Sequence, residues 1–228
     1  MHQHDDGDGP EMVRLEPPTA LAMPIGQAMF TQRAIRRFDP DRPLADADIE
    51  TILDAASKAP SGANYQPARF LVVRDRERLE AFGRLYHEAW WAKRHDEMGW
   101  EPDQEVPADP PFRMAAVLAA EMVDAPAVVL VFAKSKNPAL MAGSVFTACQ
   151  NLMLAARALG IGSVLTTLHP SVMERVYGLF GVPDDMGFFA CIPLGYPRGG
   201  FGPTQRLATA DTTHWNDWGT RPPWADSV

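Results

Sequence analysis

One long apolar segment constrains the fold of this chain more than any other. Residues 138–156 contain no charged side chain, and the pattern predicts a helix over about 139–159. Large apolar residues are spread around this helix rather than along one stripe: Val145, Phe146, Leu152, Met153 and Leu159. A helix that is apolar all round is buried on all sides. Because the short strands predicted here can hardly enclose it, we expect a second copy of the chain to cover it in a symmetric homodimer.

The same segment is nearly long enough to cross a bilayer. Polar residues within it, among them Ser144, Gln150 and Asn151, favour a helix buried in protein, so we expect no membrane association. The chain carries 21 basic and 29 acidic residues, a net charge of −8. Nucleic acid is a polyanion, so this negative charge disfavours it as a partner. The two cysteines lie in apolar runs, which indicates a reducing compartment. The N-terminus shows no cationic segment followed by an apolar one, as a secretory signal would. We therefore expect a soluble cytoplasmic protein.

The order of the predicted elements indicates an α+β fold. We expect a mobile tail over 1–22 and a single domain over 23–228, with a variable excursion at 84–115 that forms a lid over the substrate and a C-terminal extension at 197–228. The predicted helices cover about 24–32, 46–59, 76–95, 112–123, 139–159 and 171–180, with Asp46 and Ser171 as caps. The predicted strands cover 70–73, 127–133, 161–168 and 188–194.

Three arginines follow the first predicted helix. Arg33, Arg36 and Arg37 lie where this helix gives way to extended chain. Guanidinium groups match phosphate oxygens and carry no acceptor of their own. The cluster therefore has two interpretations, a site for a phosphate monoester or a surface group paired with acidic residues.

A polar loop connects the second predicted helix to a buried strand. Residues 60–67 read Pro-Ser-Gly-Ala-Asn-Tyr-Gln-Pro. Small residues in its middle would let a flat ligand approach the backbone, while Ser61, Asn64 and Gln66 offer hydrogen-bond donors and acceptors. Crevices beside strand ends often bind ligands, and an ordinary turn is the alternative interpretation.

The sequence lacks the motifs for dinucleotide binding, for a catalytic serine and for a metal site. The glycines at 160 and 162 follow a helix and open a strand, and no third glycine completes a dinucleotide fingerprint. Ser144 does not lie in a nucleophile elbow, and the histidines lack metal-ligand spacing. We therefore expect no metal site and no catalytic side chain, so that an enzyme of this sequence would rely on a cofactor.

Taken together, the segments resemble the FMN-dependent nitroreductase family over about residues 24–218. The matching segments are Gln32–Phe38, Ala59–Arg69 with the strand after it, Gln150–Thr167, Ile192–Pro197, Arg206 and His214–Trp218. This resemblance implies a nitroreductase-like mixed central sheet flanked by helices. It also implies a homodimer with the buried central helix at the interface and two FMN sites between the subunits.

The resemblance further implies which residues bind FMN. Those at the family's FMN-binding positions are Arg33, Ala34, Ile35, Arg36, Pro60, Ser61, Asn64, Gln66, Leu165, Thr166, Thr167 and Arg206. The arginines would hold the phosphate, the 60–67 loop would contact the ribityl chain and flavin partly from the second subunit, and the strand end would lie against the flavin. Ala34 stands where the family has Ser, so we expect weaker FMN binding unless Arg37 or water replaces the lost hydroxyl.

The activity that the resemblance implies is carried by the flavin. NAD(P)H would pass a hydride to flavin N5 and leave, and a nitroaromatic, quinone or similar small acceptor would then be reduced in its place by ping-pong kinetics. In the 84–115 excursion, Trp90, Trp91 and Trp100 are the candidate acceptor contacts, which with Arg94 would suit a planar, anionic aromatic molecule; packing onto the body is the alternative. Other hypotheses are reductive dehalogenation, breakdown of the flavin, or FMN storage without turnover.

Overall fold

The computed structural model describes residues 18–102, 104–108, 110–135 and 138–225. Within them are six α-helices: α1 (Ile25–Thr31), α2 (Asp46–Ser57), α3 (Arg76–Met98), α4 (Pro110–Glu121), α5 (Pro138–Ala158) and α6 (Met173–Phe180). Four strands are β1 (Ala68–Val73), β2 (Ala127–Lys134), β3 (Gly162–Ser163) and β4 (Met186–Gly195). The predicted α+β class is confirmed.

The four strands form one sheet in the order β1-β2-β4-β3. All three strand pairs are antiparallel, with Leu71 opposite Leu130 and Leu130 opposite Cys191. The isolated bridge between Ala34 and Ser163 is parallel. The sheet is thus mixed only through the short segment that follows α1.

Strand β2 separates two apolar cores. Its residues from Ala127 to Ala133 are all buried, and because successive side chains point to opposite faces, they alternate between the two cores. Val129 and Val131 join α2 and α5 on one face, whereas Val128 and Leu130 join α3, α4 and α6 on the other. Helices therefore cover both faces of the sheet.

Helix α5 is only partly enclosed by its own chain. Val145, Cys149 and Leu152 are fully buried against the sheet and α2. Another stripe, which includes Phe146 and Gln150, is exposed. By length and composition the described helix could cross a membrane, but its buried stripe is part of the core. The prediction of burial on all sides is therefore not met within a single chain.

The third strand is much shorter than predicted. We expected it over 161–168, but β3 ends at Ser163. The chain returns to β4 at Thr166, whose N–H donates to Cys191 O at 3.0 Å while Cys191 N–H donates back at 2.8 Å. Residues 161–164 are buried, but their burial does not come from a continuous strand ladder.

Two predicted helix caps are wrong. The N-cap of α2 is Ala45, and Asp46 is the first helical residue, with its carboxylate paired to Arg74. Ser171 lies inside a 3₁₀ turn, and His169 caps that turn by accepting from Ser171 N–H. The cap of α2 therefore has no side-chain acceptor, and the cap before α6 lies two residues earlier than predicted.

The predicted excursion at 84–115 comprises the second half of α3, a connecting loop and the start of α4. Of the predicted tail, residues 1–17 lie outside the described part of the chain, and Thr19–Leu21 form a 3₁₀ turn. In the described part of the C-terminal extension, one 3₁₀ turn, Thr209–Asp211, interrupts otherwise irregular chain.

Candidate functional site

The arginine segment is held against the sheet by its backbone. Ile35 N–H donates to Ser163 O at 3.0 Å, and the Ile35 side chain is buried. The approach is close, since a Cβ added at Gly162 would lie 2.8 Å from Ile35 Cγ2. Glycine at 162 therefore serves the packing of this segment, which explains why the glycine pair there is not a nucleotide-binding motif.

Two of the three arginines keep an unneutralised charge. Within the described residues, neither Arg33 nor Arg36 has a carboxylate partner. Burial, assisted by the neighbouring Arg33, lowers the pKa of Arg36. Arg37 instead donates from Nε to Glu121 Oε2 at 3.0 Å, a bond that raises its pKa. The paired-cluster interpretation holds for Arg37 only.

A groove beside these arginines continues into a deeper cleft. The groove, of about 280 Å³, is lined by residues 33–37 together with 197–200 and Met114. The cleft, of about 250 Å³, lies between α3, α4 and the chain after β3. Arg36 lines both, so an elongated anionic molecule could occupy the two together.

The predicted strand-end residues lie in the cleft. Leu165, Thr166 and Thr167 all line it. Tyr86 Oη is 2.9 Å from Thr166 Oγ1, which connects α3 to this strand end. Burial raises the pKa of Tyr86 well above its usual value, so its phenol stays protonated at neutral pH.

Among the three candidate tryptophans, Trp90 lines the cleft. Trp91 is 7% exposed and donates from Nε1 to His87 Nε2 at 3.2 Å, which makes it a core residue. Trp100 packs edge-on against Phe112, with ring centroids 5.4 Å apart, and its centroid lies 6.5 Å from that of Trp90. Trp90 is thus placed where it could contact an acceptor, whereas Trp91 and Trp100 pack against other side chains.

Sequence analysis missed other residues that line the cleft. Lys93, Phe112 and His169 belong to it. Helical spacing could have identified part of this lining, because residues three or four apart share a face and Tyr86, Trp90, Lys93 and Arg94 fit that rule on α3. The contributions from α4 and from the loop after β3 depend on the tertiary fold.

The 60–67 loop is tied by hydrogen bonds within itself and to α5, and part of its backbone is strained. Gly62 N–H donates to Ser144 Oγ at 3.2 Å, and Gln66 N–H donates to Ser61 Oγ at 3.0 Å. Ala63, Asn64 and Gln66 have φ of 49°, 57° and 50°, a left-handed conformation that non-glycine residues adopt at a cost and that clusters at functional sites. Pro60, Asn64 and Gln66 are exposed, and Ser61 is half-buried.

This loop and the arginines do not meet within one chain. Ser61 and Gln66 line a separate cavity of about 140 Å³ beside Ser144, which shares no residue with the cleft or the groove. Arg206 is exposed, and its segment passes Arg33, because a Cβ at Gly202 would lie 3.1 Å from Arg33 Nη1. The predicted site residues thus form two groups, one with the arginines and one at the loop.

The described residues offer neither an evident nucleophile nor a metal centre. No group of three or more His, Cys, Asp or Glu side chains among them could hold a metal ion. Cys149 and Cys191 are unbonded and buried, and burial raises the pKa of the Cys149 thiol to about 12. Both cysteines behave as small apolar residues.

Comparison with known proteins agrees with this architecture. The model of the nitroreductase family matches residues 30–196. A Methanothermobacter thermautotrophicus protein with the provisional name NADH dehydrogenase/NAD(P)H nitroreductase is 33% identical over 202 residues, covering 86% of this chain and 88% of that protein. A Thermotoga neapolitana iodotyrosine deiodinase is 29% identical over 170 residues, covering 73% and 84%.

A solved structure gives the same result at the level of the fold. An oxidized iodotyrosine deiodinase bound to FMN and 3-iodo-L-tyrosine superimposes with a TM-score of 0.66 at 25% identity, covering 81% of this chain and 95% of that chain. Since the family model spans most of the sequence and the fold is shared with this flavoprotein, the chain belongs to the nitroreductase family, a family of oxidoreductase-type enzymes.

Proposed function

We propose that this protein is an FMN-dependent oxidoreductase that takes a hydride from NAD(P)H and reduces a nitroaromatic, quinone or similar small acceptor. The observation that carries the proposal is the pair Arg33 and Arg36, cations without carboxylate partners in the described chain, on a groove that continues into the cleft. An acidic protein with unneutralised arginines at one groove is suited to a phosphate. A relative provisionally named NAD(P)H nitroreductase supports the activity, and an FMN-bound deiodinase of the same fold supports the cofactor.

The residues present fit FMN. Arg33, Arg36 and Arg206 would hold the phosphate, and Ala34 and Ile35 would supply backbone beside it. Burial of Arg36 disfavours its charge, and a bound phosphate would compensate that cost. Arg37 is engaged with Glu121, so it does not replace the hydroxyl that Ala34 lacks.

Bound FMN would supply the redox chemistry, accepting a hydride from NAD(P)H and reducing the acceptor that replaces the nicotinamide. The protein's own residues position the reactants. The hydrogen bond between Tyr86 and Thr166 fixes the strand end that would lie beside the flavin. Trp90 presents an aromatic ring at the opposite wall of the cleft, where a planar acceptor could pack against it.

A homodimer would complete this site. Large apolar side chains are exposed on α1 and α5: Ile25 65%, Met29 57%, Phe30 75%, Leu140 71% and Phe146 41%. Contiguous exposed apolar surface of this kind is typical of subunit interfaces. A second copy covering α5 would also bring its 60–67 loop, with Ser61, Asn64 and Gln66, towards the arginine groove of the first.

The test is an absorbance spectrum of the purified protein, repeated after anaerobic addition of NADPH or NADH. We expect a flavin band that either reductant bleaches and that a nitroaromatic or quinone restores. A band that persists with both reductants would contradict the hydride step and favour FMN storage. If the purified protein has no flavin and does not bind added FMN, the cofactor assignment is wrong.

A second candidate function is reductive dehalogenation, favoured by relatives named iodotyrosine deiodinase. The discriminating experiment gives the holoenzyme 3-iodo-L-tyrosine with either dithionite or NAD(P)H as reductant. Iodide release with dithionite, without bleaching by NAD(P)H, would favour the dehalogenase over the nitroreductase. Loss of the flavin itself in air, with neither acceptor changed, would instead indicate flavin breakdown.

A further inference from the structure

Arg94 is an under-satisfied cation in the wall of the cleft. Its side chain is 12% exposed, and Nη2 lies 2.8 Å from Glu97 Oε2. Its Nε is buried and has no hydrogen-bond partner in the described chain. A guanidinium has five N–H donors in a fixed fork, and one half-exposed carboxylate satisfies only part of it.

Arg94 shares its carboxylate partner with a second cation. Lys93 lines the same cleft, and its Nζ lies 3.8 Å from the same Glu97. The neighbouring Asp96 is directed to His169, with Oδ2 3.1 Å from Nε2. Two cations therefore share one carboxylate at this end of the cleft.

Aromatic rings enclose the same guanidinium. The Arg94 Cζ lies 5.7 Å from the centroid of a Trp90 ring and 5.5 Å from that of Phe112. Both residues line the cleft together with Arg94. A cation bordered by aromatic faces in a shielded cleft binds anions more strongly than an exposed one, because water screens it less.

We propose that Arg94 is a specificity-determining residue that binds the carboxylate of an aromatic acceptor while the aromatic ring packs against Trp90. This inference rests on the proposed function, since it names the substrate class of the same site. The carboxylate of the ligand would add a second anionic partner, besides Glu97, to a guanidinium that lines the cleft.

The test compares two acceptors that differ in one charge, 4-nitrobenzoate and 4-nitrobenzamide, with the FMN-loaded enzyme. In wild type we expect kcat/KM to be at least about tenfold higher for the benzoate, the effect of a hydrogen bond to a charged group. Arg94→Gln should lower this ratio by about tenfold, because only the benzoate carries the carboxylate that Arg94 would bind. Arg84→Gln removes the same charge from an exposed position on α3 and should keep the wild-type ratio.

Binding to the oxidised holoenzyme, measured by titration calorimetry without reductant, separates this inference from the proposed reaction. Tighter binding of the benzoate that Arg94→Gln abolishes would support the subsite even if neither compound is reduced. Equal kcat/KM and equal affinity for the two compounds in wild type would overturn the inference and leave the reductase proposal standing. The wild-type comparison needs no variant, so it decides the matter even if Arg94→Gln does not fold.

Discussion

The phenol of Tyr86 lies 2.9 Å from the hydroxyl of Thr166, joining α3 to the chain segment that follows β3. Both groups are in or beside the cleft. The contact couples the position of the Trp90 and Arg94 face of α3 to the strand end at residues 165–167. A polar contact, as well as apolar packing, therefore fixes the position of α3 relative to this segment.

Tyr86→Phe should reduce stability by about 1 kcal/mol near neutral pH, the usual net worth of such a hydrogen bond. Burial raises the pKa of Tyr86 in the folded state above its unfolded value. The contribution of Tyr86 is thus fully present below about pH 10 and is lost as pH rises above it. Urea unfolding of both proteins at about pH 8 and about pH 11 should show the gap shrinking or reversing at the higher pH, and a gap that widens there would contradict this account.

Arg33→Ala and Arg36→Ala should each leave a folded protein that binds FMN about tenfold or more weakly, because each removes a charge-assisted contact to phosphate. Arg37→Ala is the matched control, since its guanidinium is bound to Glu121. Flavin content after purification and FMN titration of the apoprotein measure the effect. If Arg33→Ala and Arg36→Ala bind FMN as tightly as the Arg37→Ala control, the phosphate assignment is wrong.

Gly162→Ala should destabilise the fold by about 1–3 kcal/mol, the typical cost of overpacking a core. The added Cβ would lie 2.8 Å from Ile35 Cγ2, so the arginine segment must shift and FMN binding should weaken as well. Gly178→Ala on α6 meets no atom within 4 Å and should stabilise the protein slightly, since alanine favours helix. Thermal melts of the two variants should therefore move in opposite directions.

Gln150→Arg should convert the expected dimer into monomers. Gln150 is on the exposed stripe of α5, so the new cation is tolerated in one chain but would be buried unpaired between two, at a cost of several kcal/mol. Gln104→Arg makes the same change at an exposed position outside α5. Sedimentation of the three proteins, with circular dichroism as the check on folding, gives the result, and a monomeric wild type would show that the dimer proposal is wrong.

Much of the fold follows from local patterns. The apolar runs at 127–133 and 188–194 predicted β2 and β4, and the uncharged run at 138–156 predicted α5. Helical spacing of apolar residues predicted α2, because periodicity directly reports which face of an element is buried. The arginine segment and the 60–67 loop were also identified from residue types. The extent of β3 was not, since a strand ends where its partner diverges, and here Thr166 returns to Cys191 after a break.

The sequence by itself determined most of the secondary structure, the apolar character of α5, the family motifs and the three arginines offered for an anion. Only the tertiary structure decided that Glu121 neutralises Arg37 and not Arg36, that Trp90 lines the cleft whereas Trp91 is buried, and that the loop group and the arginine group are separate in one chain. The physical reason is the separation along the sequence over which each interaction acts. Propensity and periodicity act between neighbours along the chain, whereas charge pairing and burial depend on which distant elements the fold brings together.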